Sequence, residues 1–410
     1  MKILMGFYPA EDMGGIINHA EQLTAGLQEL GHTVDLRLFM PRKDLPRNGV
    51  AGGTATKSPY TGLYFDQRKG HSWPNSHIIP YLGAQAVFRA VEIIRGYDMV
   101  IWETPIPTKR KENKGNNYWP YLYDHYVPQV AISHDGNFPA GYPWLSVVSR
   151  HLAGVACVHP CAYANMEQLD VPRAFIPNPQ HITYPDLSEE AFNRRVKGFL
   201  SVQTFKGWKR VPELVAAVPY MGGVIKMLAG KGIDYYYLTS KDKCKWPGIW
   251  DAALANGMDY MDVITNEQRD VSLRHVTCLI DPSWSNKYAA VGSHFNRVVV
   301  DAILMGAVPV MRPLGLGTGS DFVDGVNCLT IAQDATPQQY GERVAEICNM
   351  NYSDYIAIMS EAVKLLPQFD RVQVASQYVN LALHGSSTTG TLSQLVAQGG
   401  QTAMKEFFHE

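Results

Sequence analysis

The stretch from Asp281 to Val310, DPSWSNKYAAVGSHFNRVVVDAILMGAVPV, reads as a strand end, a polar loop, a helix carrying one carboxylate, a glycine and a second strand. A carboxylate at one fixed point of a buried helix can grip the vicinal hydroxyls of a ribose. Asp301, just ahead of the Gly306-Ala307-Val308-Pro309 strand start, is therefore expected to face a nucleotide-linked substrate. Lys206-Gly207-Trp208-Lys209-Arg210 follows an apolar run and opens a helix. A lysine there can neutralise a departing diphosphate, the preorganised charge that transfer of a group off a phosphate requires. The plainer reading of Lys209 and Arg210 is a solvated helix start. Gly14-Gly15 stand between a first strand and a helix, where backbone amides can approach a phosphate and the helix dipole favours its charge. A tight turn explains the same pair.

Some chemistries are disfavoured by what these positions lack. No Gly-x-Gly-x-x-Gly follows the first strand, which argues against hydride transfer with a dinucleotide. No Asp-x-Asp triplet occurs, so basic side chains and helix N-termini, not a metal, are expected to hold a diphosphate. Cys157-Val158-His159-Pro160-Cys161 offers only three candidate ligands in one short run at a strand-to-helix junction, and no metal site is expected there.

The elements that must position these residues follow from periodicity. Apolar runs of strand length alternate with helical patterns, as in parallel sheets with crossover helices. Strands are expected near Lys2–Phe7, Thr33–Phe39, Tyr97–Glu103, Val127–His134, Gly154–His159 and Ala174–Pro177, with an amphipathic helix from about Ile16 to Leu30. Ile176-Pro177-Asn178-Pro179 and the polar stretch to Glu190 read as a hinge, because two prolines forbid a continuous helix or central strand. The pattern then restarts. Strands are expected near Val196–Gln203, Val224–Ala229, Tyr260–Ile264, Thr277–Asp281, Val308–Met311 and Cys328–Ile331, and helices near Pro337–Met350, Ser353–Leu366 and Arg371–Leu383. Residues 385–400, rich in Gly, Ser, Thr and Gln, read as a flexible connector.

At 410 residues the chain exceeds what one core usually serves, so two domains are the natural expectation. Its net charge of −2 gives no global pull toward nucleic acid or membrane, and any such partner must meet a local patch. No apolar run approaches the roughly 20 residues that span a bilayer, and the N-terminus reads as a strand instead of a signal peptide. A cytoplasmic protein without a membrane partner is expected. The six cysteines are scattered in apolar runs, which favours reduced core thiols over a disulfide framework.

Taken together, Gly14-Gly15, Lys206-Gly207, Asp281-Pro282-Ser283, Asp301 and Gly306-Ala307-Val308-Pro309-Val310 stand in the order found in retaining GT-B glycosyltransferases of the large family that includes sucrose synthase. Gly317 to Gly325 resembles that family's next loop. Within the superfamily the chain looks most like the phage DNA hydroxymethylpyrimidine α-glucosyltransferases. That narrower likeness rests on Ser133-His134-Asp135-Gly136 at a strand end, on the Gly232-Ile233-Asp234-Tyr235-Tyr236-Tyr237 run, and on a similar length.

The resemblance implies an α/β protein of GT-B architecture, two Rossmann-like doubly wound domains facing across a cleft. Residues 1–185 would form the acceptor domain, 186–367 the nucleotide-sugar domain, and 368–410 helices crossing back to the first. It implies a UDP-sugar donor, UDP-glucose or another UDP-hexose or UDP-pentose, and no prosthetic group. Lys206, with Arg210 or Arg297, would hold the diphosphate, Gly14 and Gly15 would add backbone donors, and Asp301 would hold the ribose. His134 and Asp135 would lie on the donor-sugar and acceptor side, Asp135 orienting the attacking hydroxyl or taking its proton. An Asp before Gly is also a common turn cap.

The chain departs from the family pattern at three points. Ser293 stands where the family has a glutamate that reads donor-sugar hydroxyls, Asp301 replaces a longer glutamate, and Ser201 replaces an arginine. The donor sugar is left open by these changes.

A DNA acceptor would need phosphate contacts, stacking surfaces and a site that a displaced base can enter. Between residues 41 and 125 there are twelve Lys and Arg against seven Asp and Glu, although the whole chain is slightly acidic. Arg68, Lys69, Lys109, Arg110, Lys111 and Lys114 are interleaved with aromatic residues in two long polar insertions. They are the expected contacts to double-stranded DNA; a solvated face is the plainer reading. The implied activity is transfer of a sugar, with retention, from a UDP-sugar to the hydroxyl of a 5-hydroxymethylpyrimidine, by a monomer in the cytoplasm of a phage host. The alternatives are a GT-B enzyme acting on a polysaccharide or lipid-linked sugar, a sugar-nucleotide epimerase, or an inactive nucleotide-binding module.

Overall fold

The structure, a computed structural model, describes residues 1–7, 14–40, 78–80, 84–103, 122–123, 127–134, 148–158, 163, 166, 169–204, 209–231, 248–261, 263–283, 297–312 and 321–385. The chain divides into two compact units, one of Met1–His181 with the segment from Gln368, the other of Ile182–Pro367.

The first unit is a parallel sheet of β1 (Lys2–Phe7), β2 (Thr33–Met40), β3 (Ile78–Pro80), β4 (Met99–Trp102), β5 (Gln129–Ser133), β6 (Gly154–Cys157) and β7 (Arg173–Phe175), in spatial order β3-β2-β1-β4-β5-β6-β7. The second is a parallel sheet of β8 (Val196–Thr204), β9 (Ile225–Lys231), β10 (Met258–Tyr260), β11 (Val276–Ile280), β12 (Val308–Met311) and β13 (Leu329–Thr330), in order β10-β9-β8-β11-β12-β13. In each the order reverses next to the first strand, between β1 and β4 and between β8 and β11. Such a switch point leaves a crevice at the carboxyl ends of the strands where ligands bind.

Among the described residues the helices are α1 (Gly14–Glu29), α2 (Ala84–Ile94), α3 (Glu189–Asn193), α4 (Val211–Ala217), α5 (Ile249–Ala255), α6 (Asn266–His275), α7 (Arg297–Leu304), α8 (Pro337–Cys348), α9 (Tyr352–Ala362) and α10 (Arg371–His384). Among the described residues no helix is long and apolar enough to cross a membrane. Cys157, Cys278, Cys328 and Cys348 are buried free thiols.

Most strands fall where periodicity places them, and the differences have local causes. The expected strand Tyr260–Ile264 is instead Met258–Tyr260. Thr265 caps α6 in a reciprocal capping box with Gln268, so the residues just before it serve as the helix approach. The helix expected over Ser353–Leu366 ends at Ala362 and continues as a 3-10 turn over Val363–Phe369 containing Pro367, which has no amide hydrogen to give. The three-residue β3, an Ile-Ile-Pro run at the end of a polar stretch, is too short for its periodicity to mark a strand in the sequence. The connector expected at 385–400 lies, after its first residue, outside the described residues.

Both faces of the first sheet are covered, so its strands are apolar on both sides. Leu4, Val100, Trp102, Ala131 and Val155 belong to one core layer. Ile3, Met5, Met99, Ile101, Val130, Ile132 and Ala156 belong to the other, with residues of α1 and α10. Gly6 makes room for Trp102, whose ring would lie 2.8 Å from a Cβ there, and the buried indole donates to Gln129 Oε1 at 2.7 Å. Helix α10 reaches α1 through another glycine. A Cβ on Gly26 would lie 2.7 Å from the Arg371 carbonyl carbon and 3.1 Å from Ala375 Cβ.

Replacing a mid-helix glycine by alanine usually stabilises by about 1 kcal/mol. Because the neighbour here is backbone, Gly26→Ala is expected to destabilise by about 1–3 kcal/mol, measured as a lower urea midpoint with an unchanged slope.

Candidate active site

Alternation along the strands carries two polar side chains to one face of the first sheet. In β4, Met99 and Ile101 face α1 and α10, and the next residue in that phase is Glu103. The Glu103 amide donates to the Gly6 carbonyl at 2.9 Å, continuing the β1–β4 ladder one step past the strand. In β5, Val130 and Ile132 face the same way, and His134 is next in phase. Helix α1 adds His19 beside its buried Ala20 and Leu23, and α10 adds Tyr378 from its stripe of Val374, Ala375 and Leu381.

These four side chains meet at the carboxyl edge, next to the β1–β4 switch point. Glu103 is fully buried, and its Oε1 lies 2.8 Å from His19 Nδ1 and 3.1 Å from His134 Nε2. Tyr378 Oη lies 3.3 Å from His19 Nε2, and the two imidazole rings meet edge to face at 4.9 Å. Burial alone would push the Glu103 carboxyl up. The charge of His19 and the hydrogen bonds from His134 and His19 outweigh it and hold the carboxyl down at about 2. Burial, reinforced by the Glu103 charge, pushes the Tyr378 phenol well up, so it keeps its proton. Of Glu103, His19 and His134, only His134 reaches solvent, at 17% side-chain exposure.

The second unit has its own polar set near the β8–β11 switch point. Gln203 at the end of β8 donates to Asp281 Oδ1 at 3.1 Å, and the Ser283 amide donates to the same oxygen at 3.0 Å. Ser201 is fully buried. Gly306 closes α7 with φ 74°, and its carbonyl accepts from Tyr355 Oη at 2.8 Å.

The residues singled out in the sequence fare differently. Gly14 and Gly15 form the first turn of α1, which starts two residues earlier than Ile16. His134 stands at the β5 end. Asp301 is buried on α7, but its Oδ2 lies 2.9 Å from Arg269 Nη1 and 3.8 Å from Arg297 Nε. The carboxylate expected to hold a ribose is thus already engaged by an arginine of α6. A charge so buried requires one. Arg210 does stand at the start of α4, half-buried. It carries φ 52°, the one positive value among described non-glycine residues, and pairs with Glu213, which also accepts from Arg312 at 2.7 Å. Lys209 is buried. Asp135, Lys206, Ser293 and the basic residues Arg68, Lys69, Lys109, Arg110, Lys111 and Lys114 lie outside the described residues.

Sequence reasoning passed over His19, Glu103, Arg269 and Tyr378. For Glu103 a signal existed: an acid at the end of the apolar run MVIW, in phase with inward-facing Met99 and Ile101.

The sequence matches no known protein family, and no curated protein matches it. Solved structures do match it in fold. Anabaena HepE in complex with UDP shares 16% identity over 93% of this chain and 99% of its own, with a TM-score of 0.61. An α-glucosyltransferase in complex with UDP-glucose and DNA containing an abasic site shares 12% over 93% and 99%, with a TM-score of 0.62. A point mutant of S. aureus TarM, in complex with Fondaparinux, α-GlcNAc-glycerol and UDP, shares 12% over 93% and 99%, with a TM-score of 0.61. The chain therefore has the α/β fold of the GT-B proteins, with two doubly wound parallel sheets.

Glu103 supplies a pH test. Its folded carboxyl sits at about 2, below the ordinary 4.5, so its stabilisation is present above the unfolded value and lost as pH falls through about 2. Wild type is expected to exceed Glu103→Gln by on the order of 2–3 kcal/mol at neutral pH. The gap should close between pH 4.5 and 2 in urea titrations.

Proposed function

We propose that the chain is a glycosyltransferase that takes a sugar from a UDP-sugar and passes it, with retention, to the hydroxyl of a 5-hydroxymethylpyrimidine in duplex DNA. The observation that carries the transferase reading is the likeness over 93% of the chain to proteins crystallised with UDP, each covered over 99% of its length. The donor requires no prosthetic group; the UDP-sugar is a substrate.

In such a transfer the β-phosphate leaves as the acceptor hydroxyl attacks from the same face, so stabilising the departing charge matters more than removing a proton. Lys206 is assigned to the diphosphate, with Gly14 and Gly15 as backbone donors at a helix N-terminus. Arg210 or Arg297 joins them, the first from beside Glu213 and the second from beside Asp301. Asp301 holds the ribose from a position braced by Arg269. His134, the exposed member of the first unit's set, faces the sugar and acceptor, with Asp135 orienting the attacking hydroxyl. UDP-glucose is the first donor to test.

The DNA acceptor draws on two things. One is the basic, aromatic-rich composition of residues 41–125. The other is the fold likeness to an α-glucosyltransferase in complex with UDP and a 13-mer DNA containing a HMU base, at 11% identity and a TM-score of 0.61. Transfer to a carbohydrate is the second reading, and TarM in complex with α-GlcNAc-glycerol favours it at an equal TM-score.

Incubating the full chain with UDP-glucose, other UDP-sugars and DNA containing hydroxymethylcytosine or hydroxymethyluracil, then analysing nucleosides by mass spectrometry, is expected to reveal a hexosylated or pentosylated nucleoside. Sugar nucleotide consumed without a nucleoside product would overturn the DNA acceptor, and no consumption with any acceptor would overturn the transferase. Lys206→Ala should lower turnover at least about tenfold with the fold intact. Replacing Lys109, Arg110 and Lys111 together by Ala should weaken DNA binding and lower the slope of log affinity against log salt by about 2–3.

A further inference from the structure

We propose that Glu103 is a positioning residue that holds His134 as the Nε2–H tautomer, leaving Nδ1 as the ring nitrogen available to a ligand, with His19 and Tyr378 holding Glu103 in turn. That His134 meets substrate rests on the transferase reading; its tautomer does not.

The argument is one of donors and acceptors. An ionised carboxylate can only accept. Glu103 Oε1 lies within hydrogen-bond distance of one nitrogen on each of two imidazoles, so both of those nitrogens must carry hydrogen. For His134 that atom is Nε2, and for His19 it is Nδ1. The buried Tyr378 phenol keeps its proton and lies 3.3 Å from His19 Nε2, its oxygen accepting where His19 is charged and its hydroxyl donating where His19 is neutral. The hydrogen bond from His134 to Glu103 therefore runs from Nε2–H to the carboxylate, with His19 Nδ1 held against the same oxygen at 2.8 Å. Reversing His134 to the Nδ1–H tautomer would set a lone pair against a fully buried anion.

The placement also fixes which histidine can work. His19 is 1% exposed and both of its ring nitrogens face protein groups, whereas His134 is 17% exposed and spends only Nε2 on Glu103. With an anion behind it, the His134 ring can accept a proton at Nδ1 and donate it to a ligand oxygen without leaving the buried carboxylate uncompensated.

The same three donor atoms lie within 4.8 Å of one another, a spacing that could hold a metal ion. The distances favour the proton. Two ligands at about 2.1 Å on a tetrahedral zinc stand about 3.4 Å apart, and the His19–Glu103 separation is 2.8 Å. A metal would also require lone pairs on His19 Nδ1 and His134 Nε2, the opposite protonation.

Long-range proton–nitrogen NMR correlation on the full chain labelled with ¹⁵N-histidine, at a pH where the imidazoles are neutral, reads this directly. His134→Gln identifies the signals. His134 is expected to show a protonated Nε2 and an unprotonated Nδ1. Glu103→Gln should shift it toward a mixture, and Glu103→Leu should do so further; if the leucine variant does not fold, the wild-type and glutamine spectra decide. A protonated Nδ1 in wild type, or a tautomer unchanged in Glu103→Gln, would overturn the proposal. So would one equivalent of added Zn²⁺ that removes the Nε2 proton. In the transfer assay Glu103→Gln should lower kcat at least about tenfold while KM for UDP-glucose stays within about twofold, and an equal loss in both would overturn the positioning role. Absence of transfer by wild type would instead count against the transferase, and the NMR result would still stand.

Discussion

A carboxylate with no access to water is tolerated only where its charge is answered, and in the first unit Glu103 imposes that condition on everything around it. Its backbone is tied to β1 by the bond to Gly6, which keeps its side chain in phase with inward-facing Met99 and Ile101. The answer has to come to it. His134 arrives from the end of β5, His19 from the buried stripe of α1, and Tyr378 from α10 behind His19. Removing water makes these contacts strong and makes any missing one costly. Packing and charge therefore hold the same arrangement at this sheet edge.

The condition also explains why the first unit is built from both ends of the chain. Tyr378 is 359 positions from His19, and α10 packs against α1 where Gly26 lets the backbones approach. The inner face of the first sheet, with Met99, Ile101, Val130 and Ile132, is covered by residues of α1 and α10 together. Docking of residues 371–384 thus completes an apolar layer and a polar network in one step, and a loss of packing between the two helices would reach the site through Tyr378.

The second unit manages its buried charges in pairs. Glu213 is shared by Arg210 and Arg312, and Arg312 also lies over the Tyr340 ring at 4.7 Å. Asp301 meets Arg269, which also binds its neighbour Asp270 at 2.7 Å. Groups that look in one dimension like free ligand contacts are here partly committed to one another. The left-handed backbone of Arg210 sets its guanidinium toward Glu213 at the start of α4, a conformation that costs of order 1 kcal/mol for a residue with a side chain.

The alternation of apolar strands with amphipathic helices was enough to determine two doubly wound units, the extents of β1 and β12, and the presence of most other strands. Those features rest on local periodicity, which the order of residues carries by itself. Residue type and position singled out Asp301, and the likeness to a known family singled out His134. Neither revealed that Glu103 stands behind His134, that Arg269 engages Asp301, or that Arg210 turns to Glu213. Each of those pairs joins residues whose separation in the chain, or whose backbone twist, bears no relation to their meeting in space. Only closure of the sheets and docking of α10 decide which charge answers which, because a buried charge takes the nearest partner that packing brings to it.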